Sequence, residues 1–486
     1  MRARTLRVLA VAAGAVLSLF LAAPAATAHP LGNFTVNRAS AIVVRPGSVE
    51  IVYTIDMAEI PTYQELPSID ADADGTASAP ELATWARSES RSVLPGLLLR
   101  VDGRPVPFVE GSATAALLPG QAGLDTLRFE ATFTGPIAPT SGDLAYIVHN
   151  GDDGRIGWRE VTAIGDGVEL TGSDVPTSSP SDELRAYPQD MLSSPLHVST
   201  MAASFVVTGP AQGIVPGGAS PRGGSSRPLS ESAGFAGVLA KRGMALVLVG
   251  LLIAFAFGAW HALLPGHGKT LMAGAMVGTG ARPRQAFAVA TAVASMHSAA
   301  VIALGLAVVA LQRTFRPEAL YPWLGTLSGL AAVAVGGYLI RTRWIAWRHD
   351  RRHGHDHGHG HGHGHAHGHG HAHAPGSVVM GPDGRLSKRG IATLAFAGGA
   401  LPAPSALLAM LAAIQVHRVA YGLGLVAAFS VGLAAALLGV GVGALRARDA
   451  IVRRASDRVA RAIPLISAGA IVVAGIVVAA RAATTI

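Results

Sequence analysis

Beyond Lys241-Arg242 the sequence carries apolar runs at about 243–264, 286–311, 321–340, 390–414, 420–445 and 463–480. Each is long enough to cross a bilayer as a helix, and lipid accepts only backbone that satisfies its own hydrogen bonds. The expected fold of this half is therefore a polytopic α-helical membrane bundle of six spans. Composition agrees, since half of all residues are hydrophobic and only 14% are charged, with a mean hydropathy of +0.41. Basic residues set the orientation. With residues before 241 outside the cytoplasm, the inward segments 265–285, 341–389 and 446–461 hold three, eight and six Lys or Arg, whereas the outward segments 312–320 and 415–419 hold two and one. That asymmetry follows the positive-inside rule. It also explains the net charge of +8 through a lipid bilayer partner, with no nucleic acid needed.

The first half reads differently. Arg2, Arg4 and Arg7 precede an apolar core ending in Ala26-Thr27-Ala28, so residues 1–28 are expected to be a cleaved signal peptide. Cleavage exposes His29, whose α-amine and Nδ1 form one chelate; an ordinary first strand residue is the alternative. Residues 29–210 are expected to be a β-rich, sandwich-like extracytoplasmic domain. Val49, Ile51, Tyr53, Ile55 and Met57 alternate, and short apolar runs recur at 97–101, 106–109, 127–133, 144–148 and 205–207, separated by turn residues such as Asp102-Gly103. A strand with a buried Trp158 is expected over 155–160. The Pro-, Gly- and Ser-rich stretch 211–240 reads as a flexible linker. With no cysteine in the chain, disulfides and thiol chemistry are excluded.

One insertion in this domain carries its own chemistry. Asp70-Ala71-Asp72-Ala73-Asp74-Gly75-Thr76-Ala77-Ser78-Ala79-Pro80-Glu81 fits the EF-hand loop pattern, with ligands expected from Asp70, Asp72, Asp74, Thr76, Ser78 and Glu81. Hard oxygen donors at this spacing select Ca²⁺. An Asp-rich turn that binds nothing is the competing reading. There is no second hand, so a stabilising ion feeding a helix at 81–90 is expected and a signalling switch is not.

In the membrane half, Trp260-His261-Ala262-Leu263-Leu264-Pro265-Gly266-His267-Gly268-Lys269 ends the first apolar run. On an unbroken helix His261 and His267 point about 240° apart. Pro265 and Gly266 allow a break that brings one imidazole back toward the other. Two imidazoles at membrane depth suit a borderline divalent cation, and a helix-capping histidine pair is the bland alternative. His297 lies mid-span beside Met296, either facing a cavity as a ligand or hydrogen-bonding a neighbouring helix. Pro402-Ala403-Pro404 must interrupt its helix and free backbone carbonyls. From His353 to His373 every second residue is histidine: His353, His355, His357, His359, His361, His363, His365, His367, His369, His371 and His373. So glycine-rich a tract cannot bury a core, and it reads as a metal-buffering loop or as a merely solvated one.

The His261–Lys269 segment resembles the signature of the nickel/cobalt transporter family of the NicO type, whose first membrane helix ends in His-Ala/Gly-x-x-Pro-Gly-His-x-Lys. Ser295-Met296-His297-Ser298, the histidine-rich loop and Leu401-Pro402-Ala403-Pro404-Ser405-Ala406 resemble the same family, so that the likeness covers roughly residues 240–486. The resemblance implies nickel or cobalt (Ni²⁺/Co²⁺) as substrate, efflux as the leading direction, and a path through His261, His267, His297, Pro402 and Ser405. Family members usually have cysteine between the two prolines; Ala403 removes any sulfur ligand here.

Two halves of three spans, each opening on a Pro-broken helix, suggest a 3+3 inverted repeat. The domains expected are thus 1–28, 29–210, 211–240, 241–345, a cytoplasmic loop 346–388 and 389–486. No nucleotide-binding loop is present, because Gly266-His267-Gly268-Lys269-Thr270 lacks the first glycine of that motif. A secondary transporter, not an enzyme, is the expectation. Uptake, or transport of zinc or copper, is the nearest alternative, and a calcium-binding adhesion protein anchored by the bundle is an alternative of another class.

Overall fold

The computed structural model describes residues 31–149, 155–188, 191, 195–214, 227–228, 244–263, 272, 275–276, 282–352, 386–415, 417–454 and 457–483. The chain divides into two compact units. One holds residues through Val247 together with Leu306–Glu318 and Leu408–Gly422; the other holds Leu248–Gly305, Ala319–Leu407 and Leu423–Ile486.

The first unit is built on two five-stranded sheets. Strands β1 (Val36–Arg45) and β2 (Ser48–Met57) form a hairpin through Pro46-Gly47, where Gly47 takes φ +83°. Helix α1 (Glu59–Ile69), the short strand β3 (Thr76–Ala77) and helix α2 (Ala79–Val93) follow. Then come β4 (Leu97–Val101), β5 (Arg104–Pro105), β6 (Val109–Pro119), β7 (Asp125–Pro136), β8 (Ser141–Val148), β9 (Arg159–Gly165), β10 (Val168–Thr171) and β11 (Thr200–Val207). The sheet orders are β6-β7-β2-β1-β9 and β10-β11-β8-β4-β5.

The alternation in the sequence survives where one face is solvated. Along β7 the odd positions Leu127, Phe129, Ala131 and Phe133 are buried and their neighbours are not. In β1 and β2 nearly every residue is buried, as expected of central strands covered on both sides. One side faces the core shared by the two sheets, with Ile42, Ile51, Phe133, Leu99 and Phe205. A second cluster joins Ala39 to Trp158, Leu184 and Tyr187.

Two features depart from the sequence reading. The pairing of β1 with β9 is parallel, Arg38 opposite Arg159, in a domain otherwise of antiparallel ladders. Helix α1 has no counterpart in the sequence pattern, because Pro61 and Pro67 interrupt it; tertiary burial of Ile60, Leu66 and Ile69 carries it instead. Trp158 is fully buried, as its sequence context predicts, with its indole N–H donated to Glu160 at 2.7 Å, although the strand begins one residue later.

The apolar runs are helical: α3 (Met244–Leu263), α4 (Pro283–Leu311), α5 (Pro317–Arg352), α6 (Lys388–Gly399), α7 (Pro404–Gln415), α8 (Val419–Arg454) and α9 (Asp457–Ala483). Among the described residues, four of these are long and apolar enough to cross a membrane; α6 and α7, bent by 77° at their junction, would make a fifth. The apolar part of α3, Val247–Leu263, is shorter than a full span.

Small residues set the helix crossings, as they must where lipid offers no hydrophobic drive for association. A methyl group on Gly258 of α3 would collide with the Phe429 carbonyl of α8, and one on Gly432 would collide with the Phe255 carbonyl. The two helices therefore touch backbone to backbone over one turn. Likewise, a methyl group on Gly399 of α6 would collide with the Val293 carbonyl of α4.

Candidate metal site at the broken helix

These crossings decide where the histidines go. His261 lies one turn beyond Gly258, so the α3–α8 contact carries its ring to Phe429, with centroids 5.7 Å apart. His297 lies one turn beyond Val293, so the α4–α6 contact carries its ring to the end of α6. The two imidazoles meet there, with ring centroids 5.9 Å apart and planes inclined at 46°. Phe429 stacks on His297 at 5.7 Å and 17°. His297 is 4% exposed. A ring separation of this size leaves room for one divalent cation to take a nitrogen from each ring, since imidazole–metal bonds are about 2.0–2.1 Å long.

The break between α6 and α7 lies against His297. Pro402 and Pro404 have no N–H, and Pro404 opens α7 where its missing donor costs nothing. Ala403 caps that helix by accepting the Ala406 and Leu407 amides at 3.1 and 3.3 Å. Its own N–H is donated to His297 Nε2 at 3.3 Å, and the same ring hydrogen-bonds the Leu401 backbone. The Pro402 carbonyl accepts from the Tyr321 hydroxyl at 3.3 Å. Upstream, the Ser328 hydroxyl is donated to the Ala397 carbonyl at 2.5 Å. Ser298, next to His297, is hydrogen-bonded to Ser430, next to Phe429.

The structure thus brings together His261, His297 and the Pro402 backbone. Ser405 is the second residue of α7 and is half-buried. His267 with Pro265 and Gly266, His29, and the tract from His353 to His373 lie outside the described residues. Phe429, Tyr321 and the Ala403 amide were not singled out in the sequence. An aromatic residue in an apolar run and a backbone donor carry no pattern of their own; the one available signal was the glycine spacing at 258 and 432.

In the sheet domain the acidic loop joins α1 to α2. Ligand oxygens of Asp70, Asp72 and Asp74 lie within 4.8 Å of one another. Asp70 and Asp72 accept the Asp74 amide at 3.1 Å each, Asp70 accepts the Gly75 amide at 3.0 Å, and Gly75 takes φ +82°. Burial, opposed by those amides and reinforced by the charges of Asp74 and Glu81, raises the Asp70 pKa above the usual aspartate value. Glu81 stands outside this group. It caps α2 with Ser78, accepting the Ser78 hydroxyl and amide at 2.7 and 2.9 Å, and it also accepts the Ala71 amide at 2.8 Å. These bonds hold its carboxyl below the usual glutamate range. The three aspartates are close enough together to hold a metal ion; a bidentate Glu81 requires its carboxylate to leave those amides. β3 pairs with β12 (Arg227–Pro228), so a piece of the expected linker stands where a second hand would.

Comparison with known proteins decides the family. The chain is 33% identical over 222 residues to the nickel/cobalt efflux system RcnA of Escherichia coli strain K12, covering 41% of this chain and 80% of that one. The chain belongs to the nickel/cobalt efflux family. A nickel/cobalt efflux system of Methanocaldococcus jannaschii is 28% identical over 233 residues, 48% of this chain and 93% of that protein. An RcnA of Shigella sonnei is 30% identical over 222 residues. No family model and no solved structure matches.

Proposed function

We propose that this nickel/cobalt efflux family member is a secondary transporter that exports Ni²⁺ and Co²⁺ across the cytoplasmic membrane. The observation that carries the reading is the meeting of His261 and His297 beside the Pro402–Pro404 break. Imidazole suits nickel and cobalt, and carbonyls freed at a broken helix can receive the ion next. His267 and Ser405 belong to the same proposed path by their place in the two sequence motifs. The names of the relatives favour export over uptake.

Six spans, a 3+3 inverted repeat and an exported sheet domain complete the proposal. Support for the orientation comes from the count of basic residues and from the loop between α4 and α5. Gln64 of the sheet domain donates to the carbonyls of Gln312 and Phe315 at 2.7 and 2.8 Å, and Arg155 donates to Gln64 Oε1 at 2.9 Å and is paired with Glu318 at 3.6 Å. A loop held so belongs on the same side as the domain. The tract 353–373 is then cytoplasmic and buffers metal near the inner mouth. Asp70, Asp72 and Asp74 hold a structural Ca²⁺ that ties α1 to α2, and residues 1–28 are removed on export.

The test is nickel and cobalt binding by calorimetry to the full chain in lipid nanodiscs. Wild type is expected to bind both, with His261→Ala and His297→Ala each weakening binding at least about tenfold. Unchanged affinity in both variants would remove these residues from the site.

A further inference from the structure

His297 has two claims on one nitrogen. Its Nε2 accepts the Ala403 N–H at 3.3 Å, and a neutral imidazole has a single acceptor nitrogen. The same ring also hydrogen-bonds the Leu401 backbone. Ligation of a metal by Nε2 uses the lone pair that the Ala403 amide now occupies. Because Pro402 and Pro404 lack an N–H, Ala403 supplies the one backbone donor between Leu401 and Ser405. The break therefore has a single amide by which to be held, and His297 holds it.

We infer that His297 is a latch on the broken helix: a nickel or cobalt ion bound between His261 and His297 displaces the Ala403 amide and frees the start of α7. The inference rests on the metal-site reading above and assigns it a mechanical consequence. The α6 arm of the break is anchored independently, by Ser328 on the Ala397 carbonyl and by the close approach of Gly399 to Val293. Movement is thus directed to the Ala403 end. Tyr321 grips the Pro402 carbonyl at 3.3 Å and acts as a positioning residue that keeps this carbonyl at the pivot when the amide lets go. Mg²⁺, which prefers oxygen ligands and keeps its waters, does not compete for an imidazole lone pair and does not open the latch.

Hydrogen exchange of peptides covering 400–407, in the full chain in nanodiscs and with binding followed in parallel by calorimetry, tests this. With wild type, nickel is expected to raise exchange of the segment about fivefold, the loss of one hydrogen bond, and magnesium to leave it unchanged. His297→Ala is expected to exchange at the raised rate without nickel and not to respond further. If nickel binds wild type but exchange stays the same or slows, the latch is wrong and the metal site stands. Slow exchange in His297→Ala without nickel also overturns the latch. If nickel gives no binding heat with wild type, the metal-site reading fails and takes the latch with it.

Discussion

His261 of α3 and His297 of α4 face each other with ring centroids 5.9 Å apart, although 36 positions separate them in the sequence. Neither helix arranges this alone. The Gly258–Phe429 crossing sets one ring and the Gly399–Val293 crossing sets the other, so the pair depends on two backbone contacts as much as on two histidines.

The first expectation concerns the pair itself. In liposomes holding the full chain, His261→Ala, His267→Ala and His297→Ala are each expected to abolish nickel and cobalt flux; purified His261→Ala and His267→Ala are expected to keep the wild-type melting profile, whereas His297→Ala, which leaves the buried Ala403 amide without its acceptor, is expected to melt lower. Loss of one imidazole ligand weakens binding at the site; at His261 it does not open a crossing. Wild-type flux in His261→Ala or His297→Ala would dissociate the pair from transport.

The crossings make the opposite kind of prediction. Gly432→Val places a branched side chain against the Phe255 carbonyl, where backbone and not a flexible side chain would have to yield. Overpacking of this kind costs about 1–3 kcal/mol. A lowered melting temperature in detergent, with flux lost in proportion to unfolded protein, is expected. Gly439→Val, with nothing near its added group, is the control and should melt as wild type does.

Much of this was legible in the sequence, for physical reasons that differ by residue. His297 stood out because lipid makes a histidine in an apolar run expensive. Pro402 and Pro404 announced a break, since no helix runs through two prolines lacking donors, and the structure bends there by 77°. What could not be read is which partner each residue meets. Phe429 and Tyr321 look like any apolar-run aromatic, and the Ala403 amide is invisible in a sequence that shows only side chains. In the sheet domain, Tyr53 and Phe129 betray their strands by alternation, whereas prolines hide α1, and the loop motif that marks Glu81 as a ligand does not show the bonds its carboxylate accepts from the Ser78 and Ala71 amides.

Calcium gives a prediction with a sign in pH. Burial raises the Asp70 pKa, so its folded value lies above its unfolded one. Ionisation of Asp70 therefore opposes folding above the unfolded pKa, and protonation relieves the strain as pH falls through the folded value. A calcium ion relieves the same charge by competing with that proton. Millimolar Ca²⁺ is expected to raise the melting temperature of the full chain near neutral pH, with the increment shrinking as pH drops into the carboxylate range, and Asp72→Asn to remove most of it. No shift at neutral pH would leave the loop a plain turn.

Removing residues 353–373 separates buffering from permeation. The deleted chain is expected to transport with a changed dependence on metal concentration, because eleven imidazoles no longer gather ions near the mouth, while the maximal flux stays measurable. Complete loss of flux in a correctly inserted deletion would put the tract on the path itself.

Direction is the last prediction, and it turns on what a membrane site can and cannot specify. The His261–His297 pair and the Pro402 carbonyl form a local binding arrangement, and an equilibrium site passes ions either way; the driving gradient and the order of opening decide the net flow. Export is favoured by the relatives' names and by a tract that would collect metal on the cytoplasmic side. Expressed in a metal-sensitive host, the full chain is expected to lower intracellular nickel and cobalt, measured by mass spectrometry, and to raise tolerance relative to His261→Ala. Higher accumulation than in that variant would reverse the direction. Equal accumulation of both metals, with zinc or copper changed instead, would keep the imidazole site and replace its substrate.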